Sequence, residues 1–251
     1  MHNLKRESEI ISLIKANGDY ATVEYLANTL SLSQSTVRRN LQELELKGIV
    51  KRSYGGVTYA EVENGLAPFN LRTRSNALNK IIVCRLACSL IKDGDVIFTD
   101  CSSTAYCLTN FLKEFKNITV ISNGIETVNS LRASTLTVYS TGGKVSPTNK
   151  VALIGQQALD FIDGIHADLT LLSAFGVDNG GNIYDVYDDE IAVRKKMMKN
   201  SNANYLLLDG SKFGKTAPFK LANVNDFDGV ITDKYSDGFF IGQIKTKIIT
   251  Q

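Results

Sequence analysis

Apolar positions in the first sixty residues recur at helical intervals and then give way to alternation. Leu4, Ile10, Ile11 and Ile14 predict a helix over residues 3–16, stopping at Asn17-Gly18. Residues 22–30 follow, with Thr22 as the expected N-cap and Leu26 and Leu30 at i and i+4. After the turn Ser31-Leu32-Ser33, Ser33 caps a helix expected from Gln34 to Lys47 and closed by Gly48. Val37, Leu41 and Leu44 fall at i, i+4 and i+7 and form its buried stripe. Residues 49–59 alternate like a β-hairpin with Gly55-Gly56 at its tip.

Residues 58–75 read as a connector. Beyond it, helix and strand patterns alternate: a helix over 77–91, a strand at 96–99, a helix to about Leu112, a strand at 118–122 and a helix through Leu131. Strands at 136–140 and 169–173, a helix from Asp189 to Met198 and a strand at 205–208 continue it, and a strand at 230–232 is expected to end it. Short apolar strands between helices predict a mostly parallel sheet covered on both faces. The expected fold class is α/β, in three parts: a winged helix-turn-helix domain at 1–57, the connector at 58–75 and an α/β domain at 76–251.

Composition changes this picture little. The chain has 251 residues, 43% of them hydrophobic, and a net charge of +2. That suits folded domains and is too mild to reveal a nucleic-acid partner alone. The charge is unevenly placed: residues 1–57 carry the whole excess, with 8 Lys/Arg against 6 Asp/Glu. The N-terminus MHNLKRESEI has charge where a signal peptide would be apolar, and no run is long enough to span a membrane, so a cytoplasmic protein is expected. Cys84, Cys88, Cys101 and Cys107 lack CxxC spacing, and His2 and His166 lie far apart, so reduced thiols are expected, with no metal and no cofactor.

Two regions carry candidate chemistry. In the first, Ser35, Thr36, Arg38, Arg39 and Asn40 crowd the start of the helix that Ser33 caps, away from its apolar stripe. Such a helix start fits the DNA major groove, where Arg bonds guanine and Asn bonds adenine. Lys51 and Arg52 on the hairpin would lie along the sugar-phosphate backbone. An arginine pair on a helix is usually a solvated face, and helix-turn-helix geometry also occurs in proteins that never touch DNA.

In the second region, ligands of parallel sheets bind beyond the strand C-termini. Ser102, Ser103 and Thr104 place hydroxyls at a helix start, Gly142 and Gly143 allow close backbone approach beside Lys144, and Asp209 and Lys212 supply opposite charges. Asp100 offers an acceptor for hydroxyl hydrogens. Together they suggest a phosphorylated polyol or sugar, although a helix cap, a turn and solvated lysines account for each feature singly. No G-x-G-x-x-G follows any expected strand. Gly214-Lys215-Thr216 would need a glycine at 209 to end a P-loop, where Asp209 stands.

The stretch SLSQSTVRRNLQELELKGIVKRSYGG closely resembles the helix-turn-helix signature of DeoR-type bacterial repressors, V-S-x-x-T-I-R-R-D-L-x-x-L followed by G and R-x-x-G-G. Leu32, Val37 and Asn40 stand where that family has Val, Ile and Asp. The resemblance continues through Phe69, Arg72, Asn76 and Lys80, Asp100–Thr104 with Ser102 replacing a family Gly, Asn123, Gly142-Gly143, and Gly176-Val177-Asp178. It extends to Glu190, to Arg194 where Lys is usual, to Asp209-Gly210-Ser211-Lys212-Phe213-Gly214 and to Ile231-Thr232-Asp233. It implies a ribose-5-phosphate-isomerase-like effector domain that senses a sugar phosphate, with Asn123, Asp178, Glu190 and Arg194 joining the effector-binding set.

The resulting expectation is a homo-oligomeric repressor, dimer or tetramer, that grips operator double-stranded DNA of a carbohydrate operon and is released by a phosphorylated sugar. No catalytic residue and no membrane partner are expected. A sugar-phosphate isomerase using Asp178, Glu190 and Lys212 is the alternative, against which Arg194 would be a poor proton shuttle. An activator would use the same physics.

Overall fold

In the computed structural model, the described residues are 2–18, 20–46, 49–53, 56–59, 66, 68–235, 237–241 and 244–250. The expected closing glycine Gly48 and the tip residue Gly55 lie outside them. The chain forms two compact units, Met1–Arg74 and Ser75–Gln251.

The first unit holds α1 (His2–Ala16), β1 (Tyr20–Thr22), α2 (Val23–Leu30), α3 (Gln34–Leu46), β2 (Val50–Ser53), β3 (Gly56–Tyr59) and α4 (Phe69–Arg74). Its core joins Ile10 and Ile14 of α1, Leu26 of α2, the stripe Val37, Leu41 and Leu44 of α3, and Val50 and Val57 of the hairpin. β2 and β3 pair antiparallel as expected, and β1 adds to the free side of β3, giving the order β1-β3-β2. The connector expected at 58–75 is narrower than the sequence suggests, because Thr58 and Tyr59 complete β3 and residues 69–74 are helical.

The second unit is built on seven parallel strands in the order β15-β14-β12-β9-β4-β5-β6. They are β4 (Val96–Thr99), β5 (Thr119–Ser122), β6 (Thr137–Ser140), β9 (Ala167–Ser173), β12 (Ser201–Leu208), β14 (Gly229–Thr232) and β15 (Lys247–Ile249). Five helices accompany them: α5 (Ala77–Cys88), α6 (Ser103–Leu112), α7 (Ile125–Leu131), α8 (Gln156–Asp163) and α9 (Asp188–Lys199). Alternate strand residues feed two separate cores. Ile97, Val120, Leu171, Leu207 and Ile231 pack with α5, α6 and α7. Phe98, Ile121, Leu172, Leu206 and Val230 pack with α8 and α9. Both faces are covered, which is why these strands read as continuous apolar runs.

Two accessory sheets complete the unit: the hairpin β7 (Lys144–Val145) with β8 (Leu153–Ile154), and the antiparallel set β10 (Gly176–Val177), β11 (Asn182–Asp185) and β13 (Phe219–Asn223). The strand at 230–232 does not end the sheet as expected. β15 pairs parallel to β14 and becomes the edge. No helix among the described residues is long and apolar enough to cross a membrane.

Candidate functional site

In the first unit, the turn between α2 and α3 is set by local chemistry. Thr22 Oγ1 accepts from the Tyr25 N–H at 3.0 Å and starts α2. Ser31 takes the left-handed conformation at φ 53° and ends it. Ser33 Oγ accepts from the Thr36 N–H at 3.2 Å and bonds the Ser35 and Thr36 hydroxyls at 2.9 and 2.8 Å. The buried stripe of α3 then fixes its rotation, so Gln34, Ser35, Arg38 and Arg39 face solvent and Thr36 is half-buried. Neither arginine forms an ion pair among the described residues, and both stand in the first two turns of the helix.

Asn40 departs from the expected groove-facing set. It is only 2% exposed, and its Nδ2 donates to the Thr36 carbonyl one turn back at 2.7 Å. Its amide is engaged within the helix. On the hairpin, Lys51 and Arg52 are both exposed, but consecutive strand residues point to opposite faces. Arg52 reaches back to Glu45 of α3, Nη1 to Oε2 at 3.7 Å, while its N–H donates to Glu45 Oε1 at 3.0 Å. An exposed pair of this kind is worth about 0–1 kcal/mol and is readily exchanged for a phosphate.

In the second unit, strand order locates the crevice. From β4 the chain runs outward to β5 and β6, then returns to β9 and proceeds the other way through β12 and β14. The reversal lies between β4 and β9, and ligands of such sheets bind beyond the strand C-termini at that point. Asp100 to Thr104 follow β4 there, and Ser173 ends β9. Asn123 follows β5 and Asp209 follows β12, one strand away on either side.

The Asp100 carboxylate is not a free acceptor. Its Oδ1 accepts from the Ser102 N–H and its Oδ2 from the Ser173 N–H, both at 3.0 Å, so it ties the two central strand ends together. Ser102 acts as the N-cap of α6, its Oγ accepting from the Ala105 N–H at 3.0 Å. Thr104 receives the Ser173 hydroxyl at 3.4 Å. Asn123 is fully buried; its Nδ2 donates to the Leu153 carbonyl at 3.2 Å, and its Oδ1 has no hydrogen-bond partner. Asp209 is similar. Its Oδ1 takes the Ser211 N–H, the Ser211 hydroxyl and the Asn76 amide, while the buried Oδ2 has no hydrogen-bond partner. The Lys212 ammonium sits 5.9 Å from the centre of the Phe175 ring.

Glu190 and Arg194 do not present themselves to a ligand as expected. Arg194 is 2% exposed and is surrounded by three carboxylates. Its Nε lies 3.3 Å from Asp100 Oδ2, its Nη2 donates to Glu190 Oε2 at 2.9 Å, and its Nη1 donates to Asp185 Oδ2. Glu190 also accepts from Asn149 Nδ2 at 2.6 Å and from the Cys101 thiol at 3.1 Å. Burial pushes the Glu190 carboxyl above its ordinary range, against the pull of Arg194. The three carboxylates hold the guanidinium well above its usual value despite burial.

Three further expectations resolve differently. Asp178 lies in the β10–β11 turn, where its carboxylate accepts from the Asn182 N–H and amide and from the Tyr184 hydroxyl at 2.8–3.0 Å. Those bonds hold it below the usual carboxylate range against partial desolvation. Gly142 and Gly143 follow β6, two strands from the reversal point, and both have positive φ. The missing side chain of Gly143 admits the Ile154 carbonyl, where a Cβ would collide with it, so that backbone is already approached by protein. Lys144 is exposed on β7 with its stem over Gly155.

Sequence reasoning missed Ser173, Asp185, Asn149, Ser211 and the contact of Asn76. Asn76 adopts φ 52° at the start of α5, and its Nδ2 donates to Ser211 Oγ at 2.8 Å. Only Asn76 and Ser211 had a motif position that could have flagged them.

Residues 6–63 match the family model described as DeoR-like helix-turn-helix domain, and residues 75–234 match DeoR C terminal sensor domain. The HTH-type transcriptional regulator GolR of Listeria innocua is 33% identical over 236 residues, covering 93% of this chain and 91% of that protein. The glycerol-3-phosphate regulon repressor of Escherichia coli is 26% identical over 234 residues, with coverage of 93% and 92%. The HTH-type transcriptional repressor GlcR of Bacillus subtilis is 28% identical over 241 residues, with coverage of 96% and 92%. Among solved structures, ribose 5-phosphate isomerase A of Methanocaldococcus jannaschii aligns with a TM-score of 0.41 at 19% identity, covering 55% of each chain. An exposed arginine pair on a capped helix, followed by a parallel-sheet sensor and matched along almost its whole length by such regulators, places this chain in the DeoR family of transcriptional regulators.

Proposed function

We propose that the protein represses a carbohydrate-utilisation operon and leaves its operator when a phosphorylated sugar binds the second unit. The observation that carries the DNA half is the pair Arg38 and Arg39, solvent-facing on a helix whose opposite stripe is wholly buried. That geometry suits insertion into the major groove, with Ser33, Ser35 and Thr36 near phosphates and Lys51 and Arg52 along the backbone. A symmetric dimer or tetramer would match paired half-sites. The work is done in the cytoplasm, where the operator is.

The sensor half is supported by two buried acceptors flanking the crevice, Asn123 Oδ1 and Asp209 Oδ2, each without a hydrogen-bond partner. Unsatisfied buried acceptors cost about 1–3 kcal/mol, and ligand hydroxyls would relieve that cost. The first turn of α6 favours the phosphate. Binding proceeds without turnover: of Asp178, Glu190 and Lys212, the groups an isomerase would use to move protons, the first is committed to a turn and the second to the Arg194 network.

The test uses the full chain with DNA selected for binding from a random pool. Arg39→Ala should weaken retardation by roughly ten- to a hundredfold, equivalent to about 1–3 kcal/mol, and leave sugar-phosphate binding unchanged. In a thermal-shift screen one sugar phosphate should raise Tm, and Asp209→Ala should abolish that rise. Unaltered operator affinity in Arg39→Ala would refute the groove assignment.

A further inference from the structure

Asn76 opens α5 without capping it. Elsewhere in the chain, Thr22, Ser102 and Asn223 precede helical turns in extended backbone, at φ −83°, −72° and −114°, and each accepts a hydrogen bond from the turn it begins. Asn76 is the same residue type as Asn223, yet it sits in the left-handed region at φ 52°, ψ 35° and makes no such bond. Its amide is given to the loop after β12 instead: Nδ2 donates to Ser211 Oγ at 2.8 Å and to Asp209 Oδ1 at 3.3 Å. Ser75 and Asn76 are the first two residues of the second unit, where the chain arrives from the first. The peptide between them is held as well, because the buried Lys80 ammonium donates to the Ser75 carbonyl at 2.7 Å.

We propose that Asn76 is a two-state hinge through which effector binding acts on the DNA-binding unit. In one state, the state of this structure, the sensor loop captures the amide. In the other, Asn76 is extended and its Oδ1 accepts from the N–H of Leu78 or Asn79, as Asn223 Oδ1 accepts from Asn225 at 3.1 Å. The hinge rests on the sensor reading above and adds the route by which occupancy leaves the crevice.

The two states are closely matched. Capture gains two side-chain hydrogen bonds and forgoes a helix cap, in a left-handed conformation that asparagine tolerates better than most residues. These effects are similar in size and opposite in sign, so a modest change at Asp209 decides between them. Asp209 Oδ1 already takes the Ser211 N–H at 3.1 Å and the Ser211 hydroxyl, and the Asn76 bond is its longest. Oδ2 is buried without a hydrogen-bond partner. A ligand hydroxyl donating to Oδ2 draws the carboxylate and its charge away from Asn76, and the longest bond fails first. Asn76 then passes from positive to negative φ. That rotation carries the Ser75 carbonyl off Lys80 and redirects the chain that tethers the helix of Arg38 and Arg39. Paired half-sites at fixed spacing do not tolerate the change.

The experiment compares the full-length wild type with Asn76→Asp and Asn76→Gly, on DNA selected by the wild type from a random pool. Asp favours the capped state twice over, as a strong N-cap and by repulsion from Asp209. With no sugar phosphate present, Asn76→Asp should bind the DNA about tenfold more weakly. The amides of Leu78 and Asn79 should also exchange more slowly than in the wild type. Gly keeps the left-handed backbone without strain and has no amide to capture. Glucose 6-phosphate, ribose 5-phosphate, fructose 1-phosphate and glycerol 3-phosphate are then screened by thermal shift. The compound that raises the wild-type Tm should raise that of Asn76→Gly equally. It should weaken DNA binding by about fivefold or more in the wild type and by less than about twofold in Asn76→Gly. A wild type whose DNA binding answers none of the four compounds overturns the sensor reading, and the hinge with it. A responsive wild type with an equally responsive Asn76→Gly overturns the hinge alone. So does an Asn76→Asp protein with undiminished DNA binding or unslowed exchange. Should Asn76→Asp fail to fold, the Gly comparison decides by itself.

Discussion

The Nε of Arg194 lies 3.3 Å from Oδ2 of Asp100, joining helix α9 to the loop after β4 at the centre of the sheet. Asp100 in turn holds the Ser102 and Ser173 N–H groups, so the guanidinium is tied through it to both central strand ends. With Asp185 and Glu190 on its other nitrogens, Arg194 neutralises a buried carboxylate cluster. Removing it by Arg194→Met should cost about 3–5 kcal/mol, because uncompensated buried charge remains. Arg194→Lys should recover part of this, since a compact ammonium cannot meet three carboxylates in one plane. Denaturant midpoints check both; an Arg194→Met protein as stable as the wild type would remove the network from the account.

The Glu190 carboxyl gives the network a pH signature. Burial raises its pKa above the ordinary 4.5, so the folded state favours the protonated form. Its contribution to stability is therefore full below about 4.5 and is lost as pH rises through the raised value. Glu190→Gln mimics the protonated acid, and Asn149 can turn its amide to accept from the new Nε2. The variant should gain on the wild type as pH climbs from 4 toward neutrality. Parallel Tm curves for the two proteins would contradict this.

Gly142 and Gly143 should differ sharply despite being neighbours. Both have positive φ, at 65° and 92°, but only at Gly143 does an added Cβ meet backbone, the Ile154 carbonyl. Gly142→Ala should cost about 1 kcal/mol from conformation alone. Gly143→Ala should cost about 2–4 kcal/mol, because the β7–β8 hairpin must shift. Chemical denaturation of the two variants separates a packing role from an anion-contact role.

Asn40 offers a matching contrast in the first unit. Its amide bonds the Thr36 carbonyl inside α3, so Asn40→Ala should lower stability by about 1 kcal/mol. Operator affinity of the folded protein should fall far less than for Arg39→Ala. Equal losses in a gel shift would return Asn40 to the groove.

Much of this was legible in sequence because period and burial coincide. Val37, Leu41 and Leu44 announced α3 and its buried face, and the double-sided strands read as apolar runs. Elements whose order comes from pairing were silent. β1 is three residues that exist only against β3, and β15 is three residues that exist only against β14. The polar strand Asn182–Asp185 carries no apolar run to betray it. The candidate site was half visible for a related reason. Motif positions pointed to Asp100, Asn123 and Asp209, but a residue type does not say whether its charge is already spent. Arg194 meets Glu190 one turn back on its own helix, but Asp185 and Asp100 come from β11 and the loop after β4, and only folding brings those two to it.

The buried stripe of α3 has an evolutionary corollary. Val37, Leu41 and Leu44 seat the helix in the core, so the solvent-facing positions 34, 38 and 39 are at liberty to change without disturbing the packing beneath. Target preference can therefore diverge between descendants by surface exchange, while the scaffold that presents it is inherited intact.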